Sequence, residues 1–273
     1  MVDPRTEHHL NRVLPIQSNA RPMSNVLDSL FRFGKPNEAH VWVLEMASLA
    51  PELHRLRTYL SENELEKAGR FRFERHRNHY LISHGWMREV LSRYLLVAPS
   101  TLRFELGPKG KPSLAGPTGP RKVLFNLSHC EGVAVLAISP DARVGIDVER
   151  VRPLADAQLL VDRFFSKREA DQFRHAGPET IDLAFFNLWT RKEAWLKATG
   201  EGITHLLGQV EVGFFPGEPE RLIELPPGYG AAAAWSLCSF NPLPGYVGAL
   251  AIEARDAKPI VRSWDSTTAK GQG

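Results

Sequence analysis

Val144-Gly145-Ile146-Asp147-Val148-Glu149 is the stretch on which the reading of this chain turns. Its β-branched content and length fit a strand. Alternate side chains on a strand share a face, so Asp147 and Glu149 project together while Ile146 and Val148 turn into a core. This strand also follows a seam, near Pro140 to Asp147, between two halves with the same plan. Upstream, Val41 to Met46 reads as a first strand, and Ser61 with Glu64 forms a capping-box pattern that opens a helix. From about Arg75 to Leu96, Tyr80, Leu81, Trp86, Met87, Val90, Leu91, Tyr94 and Leu95 recur at helical spacing. Strand candidates follow at Leu102–Leu106, Val123–Leu127 and Val133–Ser139, and the Gly/Pro-rich run from Gly107 to Pro120 reads as loop. Downstream, Ser166 and Glu169 repeat the capping pattern. A helix is predicted from about Glu179 to Ala198 with Gly200 as its stop, and strands at Gln209–Phe214, Ala233–Phe240 and Tyr246–Ile252.

The predicted fold is therefore α+β: two similar lobes related by internal duplication, each a long helix packed on a small, mostly antiparallel sheet. The expected division is a flexible tail over 1–30, lobes over 31–143 and 144–257, and a second flexible tail over 258–273. At 273 residues with 43% apolar and 24% charged residues, the chain has enough material for these cores. A net charge of +3 argues against a general nucleic-acid binder. Arginines 70, 72, 75, 77, 88 and 93 crowd one segment, which suits either a local anionic partner or a solvated helix face. Two cysteines, Cys130 and Cys238, are too few and too far apart in sequence for a disulfide framework or zinc site, and a reducing cytoplasm is the expected home. No signal peptide and no membrane span are expected, because no long apolar run occurs.

Four short motifs bear chemistry. Asp147 and Glu149, held side by side, repel unless a positive group lies between them. Mg²⁺ fits, since it takes one or two carboxylates plus phosphate oxygens; a wet acidic strand neutralised by Arg150 or Arg152 fits the same residues. In Trp189-Thr-Arg-Lys-Glu-Ala-Trp-Leu-Lys197, Glu193 and Lys197 share a helix face, either as a surface ion pair or as a base and a phosphate partner, with Lys192 one step round. Phe125-Asn-Leu-Ser-His129 ends a strand in two groups able to hold phosphate oxygens. Adjacent strand residues face opposite ways and no Gly-x-Ser-x-Gly elbow surrounds Ser128, so a Ser-His hydrolase is rejected. Gly110-Lys111-Pro112 suits an anion contact and lacks the pattern of a P-loop.

In this order the four motifs resemble the 4′-phosphopantetheinyl transferase superfamily, and the long form with Trp ahead of the Lys-Glu pair is similar to its Sfp type. The resemblance spans roughly Val41 to Ala254 and includes the Arg-Phe-rich Gly69–Arg75 and Arg88. It implies a magnesium-dependent enzyme that moves phosphopantetheine from coenzyme A to a serine of an acyl or peptidyl carrier protein, with fatty acid, polyketide, nonribosomal peptide and lysine-pathway carriers all open. By that resemblance Asp147, Glu149 and Glu193 match metal positions, and Glu193 also the base. Lys197 matches a lysine at the pyrophosphate, while Ser128, His129, Lys111, Lys192, Lys67 and Arg70 match the coenzyme A side. His79 and His84 stand where relatives usually carry Arg, Glu64 where many carry Lys, and the middle of the metal triplet is Val148. A monomer is expected, since the duplication supplies within one chain the seam that shorter relatives build by oligomerising. Two rival readings are a carrier- or coenzyme-binding module without catalysis and a different magnesium-dependent phosphotransferase.

Overall fold

The computed structural model describes residues 29–35, 37–116, 121–202 and 205–265. The first lobe opens with β1 (Glu38–Glu45), a 3₁₀ turn and the short α1 (Leu53–Arg57). It continues through α2 (Glu62–Gly69), α3 (Glu74–Leu95), the small hairpin β2 (Phe104–Leu106) and β3 (Pro112–Leu114), then β4 (Leu124–Cys130) and β5 (Val133–Ser139). In the second lobe come β6 (Val144–Arg150), α4 (Ala157–Phe164), α5 (Lys167–Phe173) and α6 (Ile181–Thr199). The strands β7 (Glu211–Val212), β8 (Leu222–Glu224), β9 (Ser236–Phe240), β10 (Tyr246–Ile252) and β11 (Lys258–Ser263) complete the order.

Local chemistry sets the boundaries. Ser61 and Glu64 cap α2 reciprocally, and Ser166 and Glu169 do the same for α5, so each helix start has partners for two amides left outside the helical ladder. Helix α6 stops at Gly200, which adopts a left-handed φ of 80° that glycine takes without steric cost. Ala232–Ala234 forms a 3₁₀ turn in place of the start of a predicted strand, in line with the weak strand preference of alanine.

Sheet order is β11-β1-β5-β4 in one lobe and β6-β10-β9 in the other, antiparallel except for β1 with β11. Side-chain alternation distributes these strands over three cores. Trp42, Leu44, Ala134, Leu136 and Phe125 face Trp86, Val90 and Leu91 of α3. On the other side, Ala249 and Ala251 of β10 face Ala194, Trp195 and Ala198 of α6. The remaining faces meet each other, with Val41, Val43, Val135 and Ala137 against Ile146, Val148 and Leu250. The result is helix, sheet, sheet, helix, and the edge strands β4 and β6 lie side by side at the seam. Asn126 fastens them, its side-chain oxygen accepting the Ile146 amide at 2.8 Å.

One expectation is corrected. The stretch from 258 was read as a flexible tail, yet Lys258–Ser263 pairs in parallel with β1 and so belongs to the first lobe's sheet. Trp264 follows, buried against Phe31, Trp42 and Trp86, with its amide on the Val43 carbonyl at 2.7 Å. Its Pro259 suits an edge strand, where a missing amide donor is tolerated. Of the two expected tails, residues 1–28 and 266–273 lie outside the described residues. Among the described residues no helix is long and apolar enough to cross a membrane.

Two contacts hold α6 in place. Gly145 permits the closest: a Cβ there would lie 2.1 Å from the Ala194 carbonyl oxygen and 2.2 Å from the Ala198 nitrogen. The other is a fully buried ion pair, in which Lys192 donates to Glu169 and to the Leu207 carbonyl at 2.7 Å, while Glu169 also accepts the Val212 amide at 3.0 Å. Substituting Gly145→Ala is expected to cost about 3 kcal/mol or more, because backbone rather than a side chain must move. An unchanged denaturation midpoint refutes that contact. Lys192→Met strands the Glu169 carboxylate in the interior and should cost roughly 3–5 kcal/mol in the same measurement.

Candidate active site

Strand β6 and helix α6 bring the acidic residues together. Asp147 and Glu149 alternate with the interface residues Ile146 and Val148, so both face α6. Glu193 and Lys197, one turn apart on α6, lie over them. Lys197 Nζ donates to Asp147 Oδ1 at 2.5 Å and to Ser128 Oγ at 3.0 Å. The Ser128 hydroxyl in turn donates to the same Asp147 oxygen at 2.9 Å, closing a triangle across the seam.

The cluster is short of positive charge. Three carboxylates share the Lys197 ammonium, with the Arg152 guanidinium acting on Glu149 alone, and Asp147 Oδ2 and Glu193 Oε1 are buried with no hydrogen-bond partner. Such orphaned oxygens are rare in folded proteins and mark a group that awaits a partner. Glu193 is pushed up from 4.5 to about 7, first by desolvation and then by the Asp147 charge, with Lys197 opposing. Burial followed by the Asp147 charge also raises Glu149, whose Oε2 receives the Cys130 thiol at 3.4 Å. Two orphaned hard oxygens with a third carboxylate beside them fit a magnesium-type cation. Among the described residues the acids are not drawn into a finished three-ligand cage. Lys197 is instead the positive partner that Asp147 touches.

The expected coenzyme-side residues fall into three groups. Ser128 belongs to the cluster. His129 points to the opposite, α3 side of β4. Its imidazole is held down to about 4 by desolvation and then by His79, Lys197 and Lys67, so it is neutral near pH 7. Lys67 and Arg70 are exposed at the end of α2, the Lys67 ammonium 5.4 Å from the centre of the Tyr80 ring and Arg70 3.9 Å from Glu66. Lys67 lies near enough to His129 to act on its charge, whereas Arg70 turns to Glu66. The structure does not bring the other two lysines there. Lys111 donates to the carbonyls of Ala198 (2.8 Å) and Val144 (3.1 Å), tying the end of α6 to the start of β6; desolvation and the Arg143 charge lower it to about 8. Lys192 is consumed by Glu169 in the interior of the second lobe.

Positions that depart from the family pattern acquire reasons. Glu64 caps α2 and also receives Arg88 Nη2 at 2.6 Å. Arg88 is buried, donates to the carbonyls of Pro99 and Leu102 and covers the Phe104 ring. Thus both charges are spent inside the first lobe. His84 stacks on Tyr80 at 3.8 Å and bonds its carbonyl, with desolvation lowering it to about 4. Sequence reasoning passed over Cys130 and Asn126. Their signal was present, since Asn126, Ser128 and Cys130 alternate along β4 and must share the face turned to β6.

Comparison with known proteins follows this anatomy. A family profile described as the 4′-phosphopantetheinyl transferase superfamily matches residues 143–251, the second lobe. Another, described as 4′-phosphopantetheinyl transferase, N-terminal, matches 47–141, so the two meet at the seam. The chain is 37% identical over 216 residues to 4′-phosphopantetheinyl transferase HetI of Nostoc sp., covering 79% of this chain and 88% of that one. It is 29% identical over 205 residues to 4′-phosphopantetheinyl transferase Sfp of Bacillus subtilis, covering 70% and 87%. With both lobes matched, and the acid pair and the Glu-Lys helix standing where the fold brings them face to face, the chain belongs to the 4′-phosphopantetheinyl transferase superfamily.

Proposed function

We propose that this chain transfers the phosphopantetheine arm of coenzyme A to a serine hydroxyl of an apo carrier protein, releasing adenosine 3′,5′-bisphosphate. The observation that carries the reading is the pair of unpartnered, buried carboxylate oxygens on Asp147 and Glu193 beside Lys197. Asp147, Glu149 and Glu193 would hold Mg²⁺, which supplies charge neutralisation at the pyrophosphate oxygens when bound. Lys197 adds a second positive charge where negative charge grows on the departing phosphate. Ser128 offers a hydroxyl to a phosphate oxygen, and neutral His129 with Lys67 and Arg70 supports the phosphates of the adenosine end.

The bond-making step requires the carrier serine to lose a proton as its oxygen attacks the phosphorus nearer the pantetheine. The phosphorus–oxygen bond to adenosine 3′,5′-bisphosphate breaks in line. Glu193 takes the serine proton, directly or through water. Desolvation makes it a stronger base than an exposed glutamate. The remaining work is alignment and charge stabilisation, which a rigid strand-helix pair provides. Both cysteines are unpaired, which suits a reducing cytoplasm, and the single-chain seam suits a monomer.

Mass spectrometry of apo acyl and peptidyl carriers mixed with the protein, coenzyme A and Mg²⁺ should show the gain of one phosphopantetheine on the acceptor serine. Omitting Mg²⁺ and adding chelator should abolish it. No mass gain across carriers of fatty acid, polyketide, nonribosomal peptide and lysine-pathway type would sink the reading. Glu193→Gln should lower the transfer rate by about 10²–10⁴-fold with no fall in the denaturation midpoint. Full turnover by this variant removes Glu193 as the base.

A further inference from the structure

Resting on the transfer reading above, we propose that Lys111 is a positioning residue for the transfer, a clamp from the first lobe's β2–β3 hairpin that sets Lys197 against Asp147 and touches no phosphate of coenzyme A. The family resemblance places this lysine on the coenzyme A side, and the geometry points elsewhere. Its ammonium donates at 2.8 Å to the carbonyl of Ala198, the residue after Lys197 on α6. It also donates at 3.1 Å to the carbonyl of Val144, the first residue of the strand that carries Asp147. One cation therefore bridges the helix and the strand on which the Lys197–Asp147 pair is built.

The end of α6 needs this donor. The last carbonyls of a helix have no helical amide ahead of them. Here the Leu196 carbonyl takes the Gly200 and Glu201 amides at 2.9 and 3.0 Å, and the Ala198 carbonyl takes Lys111. Ala198 and Val144 are both buried, so withdrawing the lysine toward a phosphate strips a donor from two interior carbonyls. A cation at this position also meets the negative end of the helix macrodipole. The hairpin presents the lysine firmly. The Gly107 amide donates to the Lys111 carbonyl at 2.9 Å, Gly110 takes a left-handed φ of 85° in the turn, and Pro112 opens β3. The lysine stem packs along Gly200, where a Cβ would stand at van der Waals distance, 3.5 Å from Lys111 Cδ. A second tie lies beside the first. Lys109 of the same turn pairs with Glu201, just past the end of α6, and Glu201 also holds the Tyr229 hydroxyl. The hairpin thus grips the end of α6 twice, and the last turn of that helix carries Lys197.

The test uses the full chain, coenzyme A, Mg²⁺ and an apo carrier protein that it modifies. Lys111→Met keeps most of the stem's packing and removes the donor. It should lower kcat about tenfold or more, because a displaced Lys197 costs alignment at the reacting phosphate. The Kd for coenzyme A with Mg²⁺, by calorimetry, should stay within about twofold. In a Lys197→Ala background the same substitution should lower kcat by no more than about twofold, since a group acting through Lys197 then has nothing to position. Should Lys111→Met not fold, Lys111→Gln keeps one donor over the carbonyls and loses the charge that a phosphate needs. It should show the same split with a smaller fall in kcat. A larger rise in the coenzyme A Kd in either variant overturns the proposal by making Lys111 a phosphate contact. An unchanged kcat overturns it as well, and a lowered denaturation midpoint would then leave a purely structural tie. Full additivity with Lys197→Ala refutes the action through Lys197. Absence of transfer by the native chain would instead sink the function on which this inference rests.

Discussion

The contact of α6 with β6 at Gly145 fixes everything that matters for chemistry. Because no side chain stands between Gly145 and the backbone of Ala194 and Ala198, the helix lies directly on the strand. Glu193 and Lys197 are then forced over Asp147 and Glu149, two and four residues further along β6. Lys111 reinforces the contact by bridging the end of the helix and the start of the strand. A second constraint, the packing of the two sheets, lays β4 beside β6 and delivers Ser128 to Asp147 from the other lobe. The candidate site is thus the place where two rigid packings intersect, with precision that a loop could not supply.

The sequence made the strand-borne part of this legible and the helix-borne lysines less so. A period of two leaves Asp147 and Glu149 no choice but a common face, and a spacing of four does the same for Glu193 and Lys197. Lys192 illustrates the limit. It sits one step round from Glu193, and only the position of α5, with Glu169 at its third residue, decides that this ammonium turns inward. Lys111 is similar, since a lysine in a Gly/Pro loop reads as an anion contact until the carbonyls ending α6 prove nearer. Long flexible side chains take whichever partner the tertiary fold offers. Strand β11 was hidden for another reason. Lys258, Pro259 and Arg262 break an apolar pattern that an edge strand does not need to have.

Departures from the family pattern at Glu64 and His84 show how the first lobe absorbs charge. A lysine at position 64 would face the buried Arg88 and add a second cation there. Glutamate neutralises that guanidinium and still caps α2. The imidazole of His84, stacked on Tyr80 and held neutral by desolvation, sits where an arginine could not shed its charge. Lys67, Arg70, Arg72 and Arg75, by contrast, are exposed on the surface of this lobe.

Energetics explain why the acidic cluster is better read as a site than as a stabilising element. Raising Glu193 from 4.5 to about 7 means that its ionised form is disfavoured by roughly 3 kcal/mol. The sign follows from linkage: the penalty is absent below the ordinary glutamate pKa, grows as pH rises through 4.5, and is complete above about 7. One lysine cannot remove it, because Lys197 is engaged with Asp147 and Ser128 while Oε1 of Glu193 stays without a partner. An apolar residue at position 193 would pack against α6's neighbours without any such cost. The fold tolerates the penalty because the three apolar cores lie elsewhere, between the sheets and beneath each long helix. Charge stored in this way is released only by a cation or by protonation, the two events that phosphoryl transfer from coenzyme A to a serine demands of its surroundings.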